Sequence, residues 1–474
     1  NRYADFAGRL YDQPGVSVHT AEARGFVARI RTRYDLINVA LLDSFAASAA
    51  GLYALSESTL YTVEALATYL RRLAPGGILA ITRWLKLPPR DNLKMFATAV
   101  SALESLDVEA PGRRLAMVRS WNTVTLMVKN GEFTPHDVDL IKEFVEARAF
   151  DRAYHPGIAA ADTNRNNVLH RPYLYEGAIA LLGPGRQAFL RDYKFHIAPA
   201  SDDKPYFFRF FKWSLLGELS TLGKAGAVQF VEWGYVILVA TLALAAIASL
   251  VIIILPLRTL KRGDEADAGE MRPARLVVYF LALGLAFLFI EIAFIQRFTL
   301  FLGHPLYAVT VVLCAFLVFA GLGSGYAERF ADRLSGAAWS ALLRSPIGVA
   351  VAGIIVVAGA YLLILPVLFD WLLSLPQPAK VAISIVLIAP LAFCMGMPFP
   401  LGLRQVSDRV PDWVPWAWGV NGCASVISAI LATLLAIHFG FTLVVALAMA
   451  LYAVAAATFP TRVGRSLDQE SRNS

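Results

Sequence analysis

The stretch LVVYFLALGLAFLFIEIAFIQ, residues 276–296, holds a single charged side chain, Glu291. A bilayer core about 30 Å thick needs roughly 20 apolar residues per helix, and this run meets that length. Six more runs do the same, at about 230–257, 305–327, 346–369, 380–403, 416–438 and 440–459. They predict a transmembrane helical domain over 226–460 and a polar C-terminal tail over 461–474. Before about 225 the chain has ordinary polarity. The expected fold class is therefore α/β plus all-α membrane.

Composition agrees. The chain has 474 residues, 57% of them hydrophobic, with a mean hydropathy of +0.55. That is too apolar for an average soluble protein. The net charge of +7 is scattered, with no dense Lys/Arg block. This argues against nucleic acid and leaves the lipid bilayer as the evident partner. Cys314, Cys394 and Cys423 fall in expected spans without CxxC spacing, which argues against a disulfide framework or a metal site.

In the soluble part, Val16–Thr20 reads as a strand and Glu22–Arg31 as a helix. Leu36–Leu42 is a continuous apolar run, the pattern of a strand buried on both faces. Ser58–Leu73 has helical period, Pro75-Gly76-Gly77 reads as a turn, and Ile78–Thr82 as the next strand. Asp91–Leu106 and Pro135–Ala149 read as helices. Leu115–Arg119 and Thr123–Val128 read as a closing strand pair around Ser120-Trp121-Asn122. Alternating strands and helices predict a doubly wound parallel sheet over 1–150, ending near Val128. Residues 151–225 read as an irregular linker or interfacial segment. Its aromatic and basic run from Ser201-Asp202-Asp203-Lys204 to Phe211 suits the membrane interface; the alternative is a lid over the domain.

Tyr34-Asp35-Leu36-Ile37, Leu42-Asp43-Ser44, Leu60-Tyr61-Thr62-Val63-Glu64 and Leu73-Ala74-Pro75-Gly76-Gly77-Ile78-Leu79 stand in the order and spacing of the spermidine synthase family. The resemblance covers about residues 8–85. It implies a Rossmann-like methyltransferase fold and transfer of an aminopropyl group from decarboxylated S-adenosylmethionine. The rest, with LSESTLYTVEA, SDDKPYFF, FIEIAFIQRFTLFLGHPLYAV and GMPFPLGL, resembles a bacterial group of multi-pass, spermidine-synthase-like membrane proteins, which implies the bacterial inner (cytoplasmic) membrane. The full expectation is a partial Rossmann-like methyltransferase domain followed by a bundle of about seven transmembrane helices.

Carried over by this resemblance, Glu22 would accept from the adenine amino group. Asp43 would be the catalytic residue, orienting or deprotonating the acceptor amine. Glu22, Asp43 and Ser44 would form the cofactor site for S-adenosylmethionine or its decarboxylated form, with no metal. Two departures count against polyamine chemistry. The family's D-S-S-D is Asp43-Ser44-Phe45-Ala46 here, so a second carboxylate is missing. No glycine-rich turn precedes Tyr11, and the opening residues read as the middle of a domain. Weak or absent cofactor binding and no ordinary spermidine synthesis are therefore expected. As helix-end acids, Asp43 and Glu22 have an equally simple structural reading as caps.

Ionisable residues inside spans are costly, which singles out Glu291, with Arg297, His304 and Asn421 as further intramembrane polar residues. Glu291 is expected to face the bundle interior and to pair with His304, Asn421 or a carbonyl freed near Pro398. Met395-Gly396-Met397-Pro398 should break the fifth span. Gly321-Leu322-Gly323-Ser324-Gly325 reads as a small-residue packing stripe rather than a nucleotide loop.

The loops after spans one, three and five and the tail carry Arg258, Lys261, Arg262, Arg272, Arg275, Arg329, Arg333, Arg344, Arg404, Arg409, Arg462, Arg465 and Arg472. The positive-inside rule then puts the soluble domain outside the cytoplasm. An adenosyl cofactor instead favours the cytoplasm, and the chemistry inclines this reading to that side, with the charge pattern standing as the best evidence for a non-enzymatic domain. Three functions stand: a membrane-bound transferase with an unknown acceptor, a catalytically silent accessory or scaffold subunit among other membrane subunits, and a transporter.

Overall fold

The computed structural model describes residues 5–6, 8–41, 58–215, 233–259, 273–334, 345–373 and 375–459. Asp43 and Ser44 lie outside the described residues.

The soluble part is built on α1 (Ala23–Arg29), β1 (Tyr34–Val39), α2 (Val63–Arg71), β2 (Leu73–Trp84) and α3 (Asp91–Glu104). Then come β3 (Leu115–Arg119), β4 (Thr123–Lys129), α4 (Pro135–Ala147), β5 (Asp151–Tyr154), α5 (Tyr173–Leu182) and α6 (Arg186–Asp192). The sheet order is β1-β2-β4-β3-β5. β1 and β2 are parallel, with Leu36 opposite Ile78 and Val39 opposite Ile81. All other pairs are antiparallel.

The sheet thus corrects the expectation of a parallel, doubly wound layer ending near Val128. Only the β1–β2 pair has a crossover helix; the Ser120-Trp121-Asn122 turn forces β3 and β4 antiparallel. β5 adds an edge beyond Val128, in a stretch expected to be irregular that also holds α5 and α6. Val16–Thr20 forms no strand, because no partner pairs with it among the described residues. Pro75-Gly76-Gly77 is not a terminal turn but a register shift within β2. Gly76 has φ +79°, and a Cβ on Gly77 would sit 2.8 Å from the Tyr34 carbonyl oxygen, so glycine suits both places.

Among the described residues, seven helices are long and apolar enough to cross a membrane. They are α7 (Trp233–Thr259), α8 (Pro273–Leu302), α9 (Pro305–Leu334), α10 (Pro346–Leu372), the broken pair α11 (Gln377–Met395) and α12 (Pro398–Arg409), α13 (Val414–Phe439) and α14 (Phe441–Thr458). α8 is the central helix, with Tyr279, Phe280, Ala286, Ile290, Phe294, Phe298 and Phe301 fully buried. Ser428 on α13 donates to the Leu285 carbonyl at 2.7 Å.

Small residues set the closest approaches. α9 and α11 cross where Gly323 faces the Phe393 carbonyl and Gly396 faces the Ala320 carbonyl. The C-terminal carbonyls of α8 are capped from α11: Lys380 Nζ donates to Phe301 O at 3.1 Å and Gln377 Nε2 to Leu302 O at 2.8 Å.

Glu291 is 6% exposed and so faces the bundle, not lipid. It has none of the expected partners. His304 is exposed, its ring 5.0 Å from that of Tyr307. Asn421 packs on Gly284, two turns before Glu291 on α8. Arg297 turns away, as six positions along a helix dictate, and donates to Thr442 Oγ1 at 3.2 Å. Among the described residues nothing hydrogen-bonds the Glu291 carboxyl; burial without a partner is a cost, so Glu291→Gln and Glu291→Leu are both expected to keep or raise the melting temperature in detergent. A lower melting temperature for the Leu variant alone would reveal a hydrogen-bond partner.

Candidate functional site at the domain junction

The carboxyl ends of β1, β2 and β3 and the N-terminal ends of α1, α2 and α3 share one edge of the sheet. In open α/β sheets this edge is where ligands bind. Here it is turned toward the bundle, and the segment Ser201–Phe211 lies between them.

Ser201–Lys204 makes a tight turn whose two acids diverge. Asp202 reaches into the α/β domain. Its carboxylate takes a bidentate fork from Arg24, both contacts 2.6 Å, and accepts from Thr62 Oγ1 at 2.7 Å. Arg24 is in the first turn of α1 and Thr62 is the N-cap of α2, so one carboxylate joins two helix starts. Glu64 accepts from the Asp202 backbone N–H at 2.9 Å. Burial, reinforced by the nearby Asp202 charge, raises the Glu64 carboxyl above its ordinary value.

Asp203 reaches into the bundle. Its Oδ1 accepts from Thr442 N at 2.8 Å and Thr442 Oγ1 at 2.7 Å, and its carbonyl accepts from Phe441 N at 3.1 Å. These are orphan donors of the first turn of α14, capped from another domain. Gly440 makes this possible: its φ is +94°, and any Cβ there would collide with the Asp203 carboxylate.

Farther along, Arg209 donates to the Ile437 carbonyl at 3.2 Å and contacts His438 Nδ1 at 2.9 Å. The other ring nitrogen of His438 lies 2.8 Å from the Tyr235 hydroxyl on α7. Glu22 also approaches the bundle, 4.0 Å from the Cβ position of Gly303. The domain therefore rests on the ends of α7, α8, α13 and α14.

Beneath the segment is a buried charged layer. Asp91 sits 3.5 Å from Arg83 and 3.9 Å from Arg90. Arg83 faces the rings of Tyr61 at 5.1 Å and Phe208 at 4.9 Å; Arg90 faces Phe195 at 5.3 Å and Phe210 at 5.1 Å. Lys94 Nζ donates to the carbonyls of Tyr206 and Arg209 at 3.2 and 2.9 Å. Tyr206, Phe207, Phe210 and Phe211 are buried. These rings are covered by protein: they lie over the carboxyl end of β2, where the alternative reading put a lid, and form the contact between domains at the ends of the spans. An aromatic and basic run carries the same signal for either setting, because both are apolar on one side and charged on the other.

Of the sequence-derived site, Glu22 is visible. Its carboxylate is the N-cap of α1, accepting from Arg24 N at 3.1 Å and Gly25 N at 2.5 Å. Among the described residues, no cluster of His, Cys, Asp or Glu suits a metal ion. No protein-family model, curated protein or solved structure matches this chain.

His196 gives the junction a pH response. Burial, aided by the charges of Lys94 and Arg209, lowers its imidazole to about 3 from an ordinary 6.5. The folded state holds it neutral while the unfolded chain protonates it below pH 6.5. Its contribution to stability is thus complete above pH 6.5 and is lost as pH falls toward 3. His196→Gln is expected to flatten this acid limb in melting temperature against pH. An unchanged limb would remove His196 from the account.

Proposed function

We propose that the chain is a membrane-integral protein whose α/β layer is a docking module seated on a seven-helix bundle, serving as a catalytically silent accessory or scaffold subunit. The observation that carries this reading is the covering of the carboxyl end of β2 by Ser201–Phe211, a segment tied to the domain through Asp202 and to the bundle through Asp203 and Arg209. A segment anchored on both sides uses the ligand-binding edge as an interface. Charge supports it as well. Gly303 and Gly440 lie at the domain's end of the bundle, whereas Arg275, Arg329, Arg333, Arg404 and Arg409 lie at or near the opposite helix ends. The positive-inside rule then assigns the α/β domain to the non-cytoplasmic face, away from adenosyl cofactors.

A second reading, a spermidine-synthase-like transferase with a Rossmann-like domain, draws on the placement of Glu22 against the bundle. A site at that edge, with Asp43 and Ser44 following β1, would receive its acceptor from the membrane side.

Calorimetry on the full-length protein in detergent separates the two. No heat of binding is expected with S-adenosylmethionine or its decarboxylated form. Micromolar binding that Glu22→Gln weakens would favour the transferase. Labelling of Glu132→Cys by an impermeant maleimide should occur from outside intact cells, and protection there would overturn the proposed orientation.

A further inference from the structure

Only part of the carboxyl edge rests on the bundle. The part over β2 is covered by Ser201–Phe211. The edge continues along β4, β3 and β5, each strand about 4.8 Å from the last. Along this continuation lies an open groove of about 750 Å³ whose lining includes Trp84, Leu87, Trp121, Asn167 and Val168. Trp121 is 78% exposed, Val168 72% and Leu87 48%. What sets these three apart from other exposed apolar side chains is that they line one groove, and a contiguous exposed apolar surface marks an interaction site.

Trp121 and Val168 are held in place. Trp121 is in the β3–β4 turn, where Ser120 N and Leu85 N donate to the Thr123 and Asn122 carbonyls at 2.9 and 2.7 Å. Val168 follows a loop gripped by Asp151. This buried carboxylate accepts from the backbone N–H groups of Arg165, Asn166 and Asn167 at 2.6, 2.8 and 2.9 Å and pairs with Arg119 at 2.7 Å. Burial works to raise the Asp151 carboxyl, but these donors hold it below its ordinary value. Leu87 lies on the short segment that leads from β2 through Pro88 and Pro89 to Arg90, under the junction.

The bundle ends carry the first part of the edge, and lipid surrounds a bundle. We infer that the overhanging edge, with Trp121 at its tip and Leu87 and Val168 beside it, rests on the headgroup and upper acyl layer of the bilayer. Trp suits this place, with an apolar ring and a polar N–H. The occupant is bilayer lipid, and the argument for it is continuity with the domain–bundle junction. The contact makes the α/β layer a peripheral as well as a tethered membrane domain, and it does not depend on which function above is correct.

The test uses full-length protein in nanodiscs, with Cys314, Cys394 and Cys423 replaced by alanine. Trp121→Cys and Val168→Cys each carry a bimane label, and Glu132→Cys, in the turn after β4 at the opposite edge of the sheet, is the control. Lipids nitroxide-labelled at the headgroup should quench positions 121 and 168 at least about threefold more than position 132. Equal quenching at all three positions overturns the proposal. So does formation of a disulfide-linked dimer by the unlabelled Trp121→Cys variant, which would assign the edge to a second copy of the chain. Size-exclusion profiles matching the parent protein confirm that the variants are folded.

Discussion

Valine at Gly323 or at Gly396 should leave little folded protein in detergent. An added Cβ would overlap the Phe393 carbonyl oxygen in the first case and the Ala320 carbonyl oxygen in the second. Both obstacles are helix backbone, which has no rotamer to yield. α9 and α11 would have to separate, and contact along their crossing would be lost. Overpacking typically costs about 1–3 kcal/mol, and a backbone collision belongs at or above the top of that range. Alanine should already be harmful, since the clash is with the Cβ itself. Gly321 and Gly325 are the controls: none of the described residues comes within 4 Å of a Cβ at either. Alanine there removes a poor helix former and should be neutral or stabilising by up to about 1 kcal/mol. Melting temperature and size-exclusion profile of the four alanine variants check this. Equal effects across them would show that α9 and α11 do not cross as described.

Neighbouring acids at 202 and 203 should give unlike results. Asp202→Ala leaves Arg24 without its fork, in a site where the two side chains are 15% and 25% exposed. Breaking a fully buried pair costs ~3–5 kcal/mol and an exposed one under ~1, which places this loss at roughly 2–3 kcal/mol. It should appear in the α/β domain, as a lower melting temperature and faster amide exchange in α1 and α2. Asp203→Ala removes the cap of α14 instead. The expected loss is about 0.5–2 kcal/mol, seen as faster exchange at Phe441–Val444 with α1 and α2 unaffected. Identical exchange maps for the two variants would refute the picture of one turn clamping two domains.

Much of the membrane part was legible because hydrocarbon imposes a simple rule. Every spanning backbone group must bond within its own helix, and every span must be long and apolar. The seven runs therefore match seven helices, and the Met395–Pro398 break falls where proline removes a donor. In the soluble part, Leu36–Val39 and Ile78–Ile81 were readable as parallel neighbours, but not in their burial: β1 lies at the edge of the sheet with Leu36 59% exposed, which corrects the expectation of a strand buried on both faces. β5 was not, because Asp151–Tyr154 carries two charged residues and is held by Asp151 and Arg119 rather than by an apolar run. The candidate site was the least legible. Glu22 reads identically as an adenine acceptor or a helix cap, and only the positions of Arg24 N and Gly25 N show the cap in use.

By itself the amino-acid order determined the two-part architecture, the number and length of the spans and the strand–helix alternation. These follow from local periodicity and from the transfer of apolar side chains out of water, which act along the chain without regard to distant partners. Tertiary structure alone decided which glycines lie at a crossing, that the interior-facing Glu291 has no hydrogen-bond partner among the described residues, and that Ser201–Phe211 joins the domains. Those outcomes depend on meetings such as Asp203 with Thr442 and Arg209 with His438, more than two hundred residues apart. Hydrogen bonds and close packing act over a few ångströms, and only the folded chain sets which groups come within that reach.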